Sequence, residues 1–138
     1  NSDNMKSVLE HLIHVHGRRH IAYVAPTFPD KRQQLYIDTM KSAGIYDPNL
    51  LVQAEDLGDI PLEERAATAL SILLDHRKAK IDALFVVFGS DALGALPALK
   101  ARGISVPGDV ALISNEDSES AIFAIPALTV VTFPWREL

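Results

Sequence analysis

Three carboxylates and one arginine are the side chains best placed by type and spacing to do chemistry. Asp91 follows the apolar run Ala83–Phe88, and Glu116 with Asp117 follows the apolar run Val110–Ile113. If both runs are parallel strands, their exits share one sheet edge, the edge where open α/β sheets bind ligands. Carboxylates there accept hydrogen bonds from hydroxyl or amino groups of a ligand. The local alternative is helix capping, by Asp91 for the next helix and by Asp117 or Ser118 for a short one after it. Arg32 stands at the start of a second helix, just past the loop that leaves the first strand. A guanidinium there can hold a carboxylate or sugar hydroxyls in a fork, although a cation at a helix start opposes the helix dipole. Its alternative is a solvated surface charge.

The five histidines are His11, His14, His16, His20 and His76. His11 and His14 lie three apart on the first helix, outside its apolar face, and a metal site would need a third ligand brought close. A solvated helix face is the expectation, and no metal is expected. Neither G-x-G-x-x-G nor G-x-x-x-x-G-K-[ST] occurs, so nucleotide binding has no motif to rest on. There is no G-x-S-x-G elbow. No nucleophile, base pair or cofactor loop can be assembled, so neither a cofactor nor an enzyme is expected.

The elements that must position these residues alternate between two periods. Met5, Val8, Leu9, Leu12 and Ile13 repeat at helical spacing, which predicts an amphipathic helix over about 3–15 ending at Gly17. Strands are expected at Ile21–Ala25, Leu50–Ala54, Ala83–Phe88, Val110–Ile113 and about Leu128–Thr132. Between them lie a helix at about 31–43, whose apolar face includes Tyr36, Ile37 and Met40, and one at about 62–76. A further helix over 92–102 carries Leu93, Leu96 and Leu99, and a short helical candidate lies near Ser120–Ala124. Gly89-Ser90-Asp91 reads as the break between strand and helix, and Glu55–Pro61 as a polar loop. Strands alternating with helices of about ten to fifteen residues predict an α/β fold: a three-layer parallel sheet with helices on both faces.

Composition narrows the function. The chain has 138 residues, enough for one domain with a core, and 48% of them are hydrophobic. It has no apolar run near twenty residues, so no membrane span is expected. It has no cysteine, which fits a cytoplasmic location. Its net charge of −5 argues against this segment gripping nucleic acid by itself. The chain opens on Asn1 and closes on Arg136-Glu137-Leu138 without a turn or tail, which suggests a piece of a longer protein.

Motifs spread over nearly the whole chain resemble the ligand-binding domain of the lac-repressor-like regulators, which have a periplasmic-binding-protein fold. They are Asp3-Asn4, His11-Leu12-Ile13, Gly17-Arg18-Arg19-His20-Ile21-Ala22, Arg32 with Ala43-Gly44-Ile45, Arg102-Gly103-Ile104, Val106-Pro107-Gly108-Asp109-Val110-Ala111, and Pro126-Ala127-Leu128-Thr129-Val130-Val131. The resemblance implies two α/β lobes joined by a hinge, with a small effector in the cleft between them. Residues 1–138 would be the second lobe, without the first lobe and the DNA-binding module. It implies ligand contacts from Arg32, from Ser90 and Asp91 in place of the family's Asn-Asp, and from Glu116 and Asp117. Ser114-Asn115 replaces the family's glycine and aromatic residue, and Phe133 stands where it often has a glutamine. Phe88 and Phe133 would make the site drier than a typical sugar site, so the effector is expected to differ from a common hexose.

The function implied is a sensing lobe for a sugar or related metabolite in a bacterial transcriptional regulator. DNA would be bound only through a separate domain, the full protein would be a homodimer, and no membrane would be involved. Two alternatives stay open: a sensor lobe fused to a histidine kinase or diguanylate cyclase, suggested by His16–Arg19 and the Phe123–Thr129 stretch, and a free-standing flavodoxin-like enzyme.

Overall fold

The apolar face of the first helix is built as its spacing requires: Met5, Val8, Leu9, Leu12 and Ile13 are all buried. They lie on α1, Ser2–His14, in a computed structural model that describes residues 2–26, 31–86, 89–106, 108–115 and 122–124. Strand β1, Ile21–Val24, follows, then α2, Lys31–Ser42. A single 3₁₀ turn at Pro48–Leu50 leads into the two-residue strand β2, Leu51–Val52. This strand is shorter than the five residues its apolar run suggests. Helix α3, Ala54–Leu57, occupies the start of the expected polar loop. The correction has a local cause: the Asp56 carboxylate accepts the Gln53 N–H at 2.8 Å and so closes the first turn.

Residues 62–76 are helical throughout, as expected, but change winding along the way. A 3₁₀ turn at Leu62–Glu64 passes into α4, Arg65–Leu70, and then into a π-helical turn at Ser71–His76. Strand β3 is Ala83–Val86, and α5 is Gly89–Ala101. The helix thus begins three residues before Ala92, and Gly89-Ser90-Asp91 forms its first turn rather than a separating break. Strand β4 is Ala111–Asn115.

The last described element corrects a second expectation. Ile122–Ala124 is a strand, β5, antiparallel to β4, with Ser114 opposite Phe123, and not a short helix. Ile and Phe suit a pleated surface, and pairing on the open edge of β4 outweighs a weak helical preference. The strand expected at Leu128–Thr132 lies outside the described residues.

The sheet order is β2-β1-β3-β4-β5, with the first four strands parallel. Side chains alternate between its faces. Ala22, Val24, Leu84, Val86 and Leu112 pack under α4 and α5, against Ala66, Ala69, Leu70, Ala95 and Leu99. Ile21, Tyr23, Phe85 and Ile113 face α1 and α2. On that side Tyr23 stacks on Tyr36 with ring centroids 5.0 Å apart, and the Tyr36 hydroxyl donates to the Ile21 carbonyl. Burial pushes the Tyr36 phenol well above its usual range. The three-layer α/β arrangement is therefore present, with one antiparallel strand added at the edge.

Two of the sequence motifs turn out to stitch the amino edge of this sheet. Arg18 donates to the carbonyls of Asp82 at 3.1 Å and Asp109 at 3.4 Å, ahead of β3 and β4. The Asp82 carboxylate accepts the N–H groups of Arg19 and His20, both at 3.0 Å. The Asp109 carboxylate accepts the Ser105 N–H and hydroxyl, both at 3.0 Å. Gly-Arg-Arg-His and Pro-Gly-Asp-Val thus carry backbone geometry, which is the reason their order and spacing matter.

Candidate effector site at the carboxyl edge

The order of the strands selects a place for ligand. Strand β1 lies between β2 and β3, so the chain leaves β1 toward one side and reaches β3 on the other. Helix α2, which follows β1, lies on the Tyr23–Phe85 face, and α5, which follows β3, lies on the opposite face. The two exits diverge at the carboxyl ends of β1 and β3, the topological switch point where open α/β sheets bind ligands.

Arg32 and the Ser90–Asp91 pair stand on the two sides of this point. Arg32 is the second residue of α2, half-buried, in a first turn that contains no acidic residue. Ser90 and Asp91 are the second and third residues of α5. Asp91 therefore lies inside the first turn and is not the residue before the helix, as the capping alternative had it. An acidic residue in that turn suits the positive end of the helix dipole. Phe88, Glu116, Asp117 and Phe133 lie outside the described residues. The chain does run toward Glu116 at the same edge, since β4 is parallel to β3 with Val86 beside Ser114 and ends at Asn115.

Two residues at this edge were not foreseen as site residues. Arg65, the first residue of α4, is only 3% exposed, and its guanidinium donates to the carbonyl of Ala25, the residue after β1. A buried cation at a helix start is tolerated only with strong partners. Arg65 thereby ties the α4 start to the exit of β1. Its signal was available: Arg65, Ala69 and Leu73 are four apart on the inward stripe of one helix. The second is Ser114, at the end of β4. It is 0% exposed, and its Oγ has no hydrogen-bond partner among the described residues.

No group of three or more His, Cys, Asp or Glu among the described residues is placed to hold a metal ion. Nor is any helix among them long and apolar enough to cross a membrane.

Known proteins resemble the chain in sequence and in fold. Residues 9–138 match the periplasmic binding protein-like domain. The transcriptional regulator CelR of Thermobifida fusca, a helix-turn-helix protein, is 36% identical over 105 residues, covering 75% of this chain and 29% of CelR. GalR of Streptococcus thermophilus, of the same type, is 32% identical over 109 residues, covering 79% of the chain and 31% of GalR. The chain thus spans about a third of the length of these relatives. Among solved structures, a sugar-binding LacI-family regulator from Escherichia coli complexed with phosphate superposes with a TM-score of 0.72 at 26% identity, covering 84% of this chain and 41% of that one. A complex of the regulator CelR with cellobiose superposes with a TM-score of 0.59 at 31% identity, covering 78% and 31%.

Proposed function

The chain belongs to the periplasmic-binding-protein-like family of effector domains found in LacI-type transcriptional regulators, and on that premise we propose that it senses a sugar or related small metabolite. Residues 1–138 supply the second of two lobes. The effector lies in the cleft between them, against the carboxyl edge of β1 and β3. The observation that carries this reading is the switch point itself, with Arg32 on one flank and Ser90–Asp91 on the other. Glu116, Asp117, Phe88 and Phe133 complete the lining, and the two aromatics favour an effector less polar than a common hexose.

Hinge closure around the effector alters DNA binding by a separate helix-turn-helix module in a cytoplasmic homodimer. The relatives named above are transcriptional regulators, and CelR was captured with cellobiose. This supports a DNA-binding output over a fused kinase or cyclase, and a binding role over an enzymatic one.

The test is a calorimetric screen of mono- and disaccharides and their phosphates and acids on the intact regulator. An effector should be found whose affinity falls roughly tenfold or more in Arg32→Ala, as expected for loss of a charge-assisted fork, with the melting temperature unchanged in its absence. An Arg32→Ala protein that binds that effector as tightly as wild type would sink the assignment.

A further inference from the structure

The amino edge of the sheet, opposite the proposed effector edge, carries a second constellation. His11 Nε2 and His16 Nε2 share a hydrogen bond of 3.1 Å, one ring donating and the other accepting, with ring centroids at 4.8 Å and planes inclined by 69°. The backbone holds this geometry. The N–H groups of Val15 and His16 both donate to the His11 carbonyl, at 2.9 and 3.3 Å, and the Arg18 N–H returns to Leu12 at 2.9 Å. Gly17 makes that reversal possible with a φ of 67°. The two imidazoles are thus fixed to one another by the turn that ends α1.

Two imidazole nitrogens sharing one tetrahedral ion with M–N bonds of about 2.0–2.1 Å stand roughly 3.3 Å apart. The observed pair is within 0.2 Å or so of that span, allowing for that approximate geometry. Arg18, the nearest cation along the chain, is engaged with the Asp82 and Asp109 carbonyls.

We propose that His11 and His16 form a two-imidazole chelate for a divalent transition ion of the Ni²⁺, Cu²⁺ or Zn²⁺ class. The ion replaces the hydrogen bond: the donating ring shifts its proton from Nε2 to Nδ1, so that each Nε2 gives a lone pair and each Nδ1 holds that ring's single proton, and water completes the coordination sphere. Imidazole ligands select these ions over Mg²⁺ and Ca²⁺. With two protein ligands and an open face, the site is a modest-affinity one that clamps the end of α1 to the turn before β1.

Calorimetric titration of the tag-free chain with Ni²⁺ and Zn²⁺ in a non-coordinating buffer tests it. One ion per chain is expected. Affinity should fall roughly tenfold or more in His11→Asn and in His16→Asn, while His14→Asn and His20→Asn should bind as wild type. In wild type alone, ¹⁵N spectra should show the Nε2 signals of His11 and His16 shifting together on metal addition. Binding unchanged in both His11→Asn and His16→Asn overturns the proposal, as does equal loss in His14→Asn or one ion per two chains. If either variant unfolds, the paired ¹⁵N shifts in wild type decide the matter.

Discussion

Arg65 and Ser114 show how differently two buried polar side chains can act at one sheet edge. Arg65 has a demanding role, since its guanidinium is taken out of water and holds the Ala25 carbonyl at the exit of β1. Arg65→Ala leaves that carbonyl without its donor and opens a cavity, so a loss of about 2–4 kcal/mol is expected from urea unfolding. A loss below about 1 kcal/mol would mean that water replaces the guanidinium at no cost. Ser114 goes the other way. Its Oγ is buried without a partner among the described residues, and burying a hydroxyl in that state is unfavourable. Ser114→Ala should stabilise the chain by about 0.5–1 kcal/mol in the same assay. A loss would show that a bound water satisfies the hydroxyl.

At the scale of elements, α5 concentrates the departures from local preference. Pro97 stands in its interior, where it removes one helical N–H donor. The helix begins at Gly89 and not at Ala92, so the proline lies two full turns in. Ala95 and Leu99 are buried against the sheet, and of the Leu93–Leu96–Leu99 spacing that marks the helix in the sequence Leu96 is only half-buried. Gly94 shows what tertiary packing asks of this helix. A Cβ there would lie 3.3 Å from the Glu63 carbonyl and 3.9 Å from the Ala66 Cβ, so α5 and the start of α4 touch through it. Gly94→Ala should be close to neutral, as helix propensity offsets the crowding. Gly94→Val has no such room and should cost about 1–3 kcal/mol, read as a lower urea midpoint. The same scale explains the misread β5. Ile122-Phe123-Ala124 has too few residues to announce a period, and the partner that makes it a strand is β4.

For the whole molecule, acid should act in two stages. The folded His11 takes its proton at lower pH than the ordinary 6.5, so the unfolded chain binds more protons as pH falls through the mid-6 range. Stability therefore declines from there down to the folded pKa of His11. Asp75 and Asp109 are shifted in the same direction and act at lower pH. The Arg102 guanidinium holds Asp75, and the Ser105 N–H and hydroxyl hold Asp109, below the ordinary 3.8. Their contribution is present above about pH 4 and is lost as pH falls through their folded values. Thermal unfolding between pH 8 and 2.5 should show both arms, with His11→Asn flattening the first and Asp109→Asn the second. A midpoint independent of pH between 7 and 5 would contradict the first arm.

The sequence by itself determined the alternation of strands and helices, the buried stripe of α1, the three layers and the family. Each of these rests on periodicity or on motifs that are local in the chain. Met5, Val8, Leu9, Leu12 and Ile13 mark their helix because spacing alone decides which side faces the core. The Arg18 and Asp109 motifs were legible as text, but their work as stitches between β1, β3 and β4 was not, since the partners are 64 and 91 residues away. Arg32 and Ser90–Asp91 could be named from the sequence. Only the order β2-β1-β3-β4-β5 showed that the helices carrying them, α2 and α5, follow adjacent strands and lie on opposite faces of the sheet, because strand order is set by sheet pairing and leaves no local trace. Tertiary structure alone decided that Arg65 is buried, that Ser114 lacks a partner among the described residues, and that His11 meets His16. Burial and side-chain encounter depend on what the rest of the chain brings alongside, and no short window of residues contains that information.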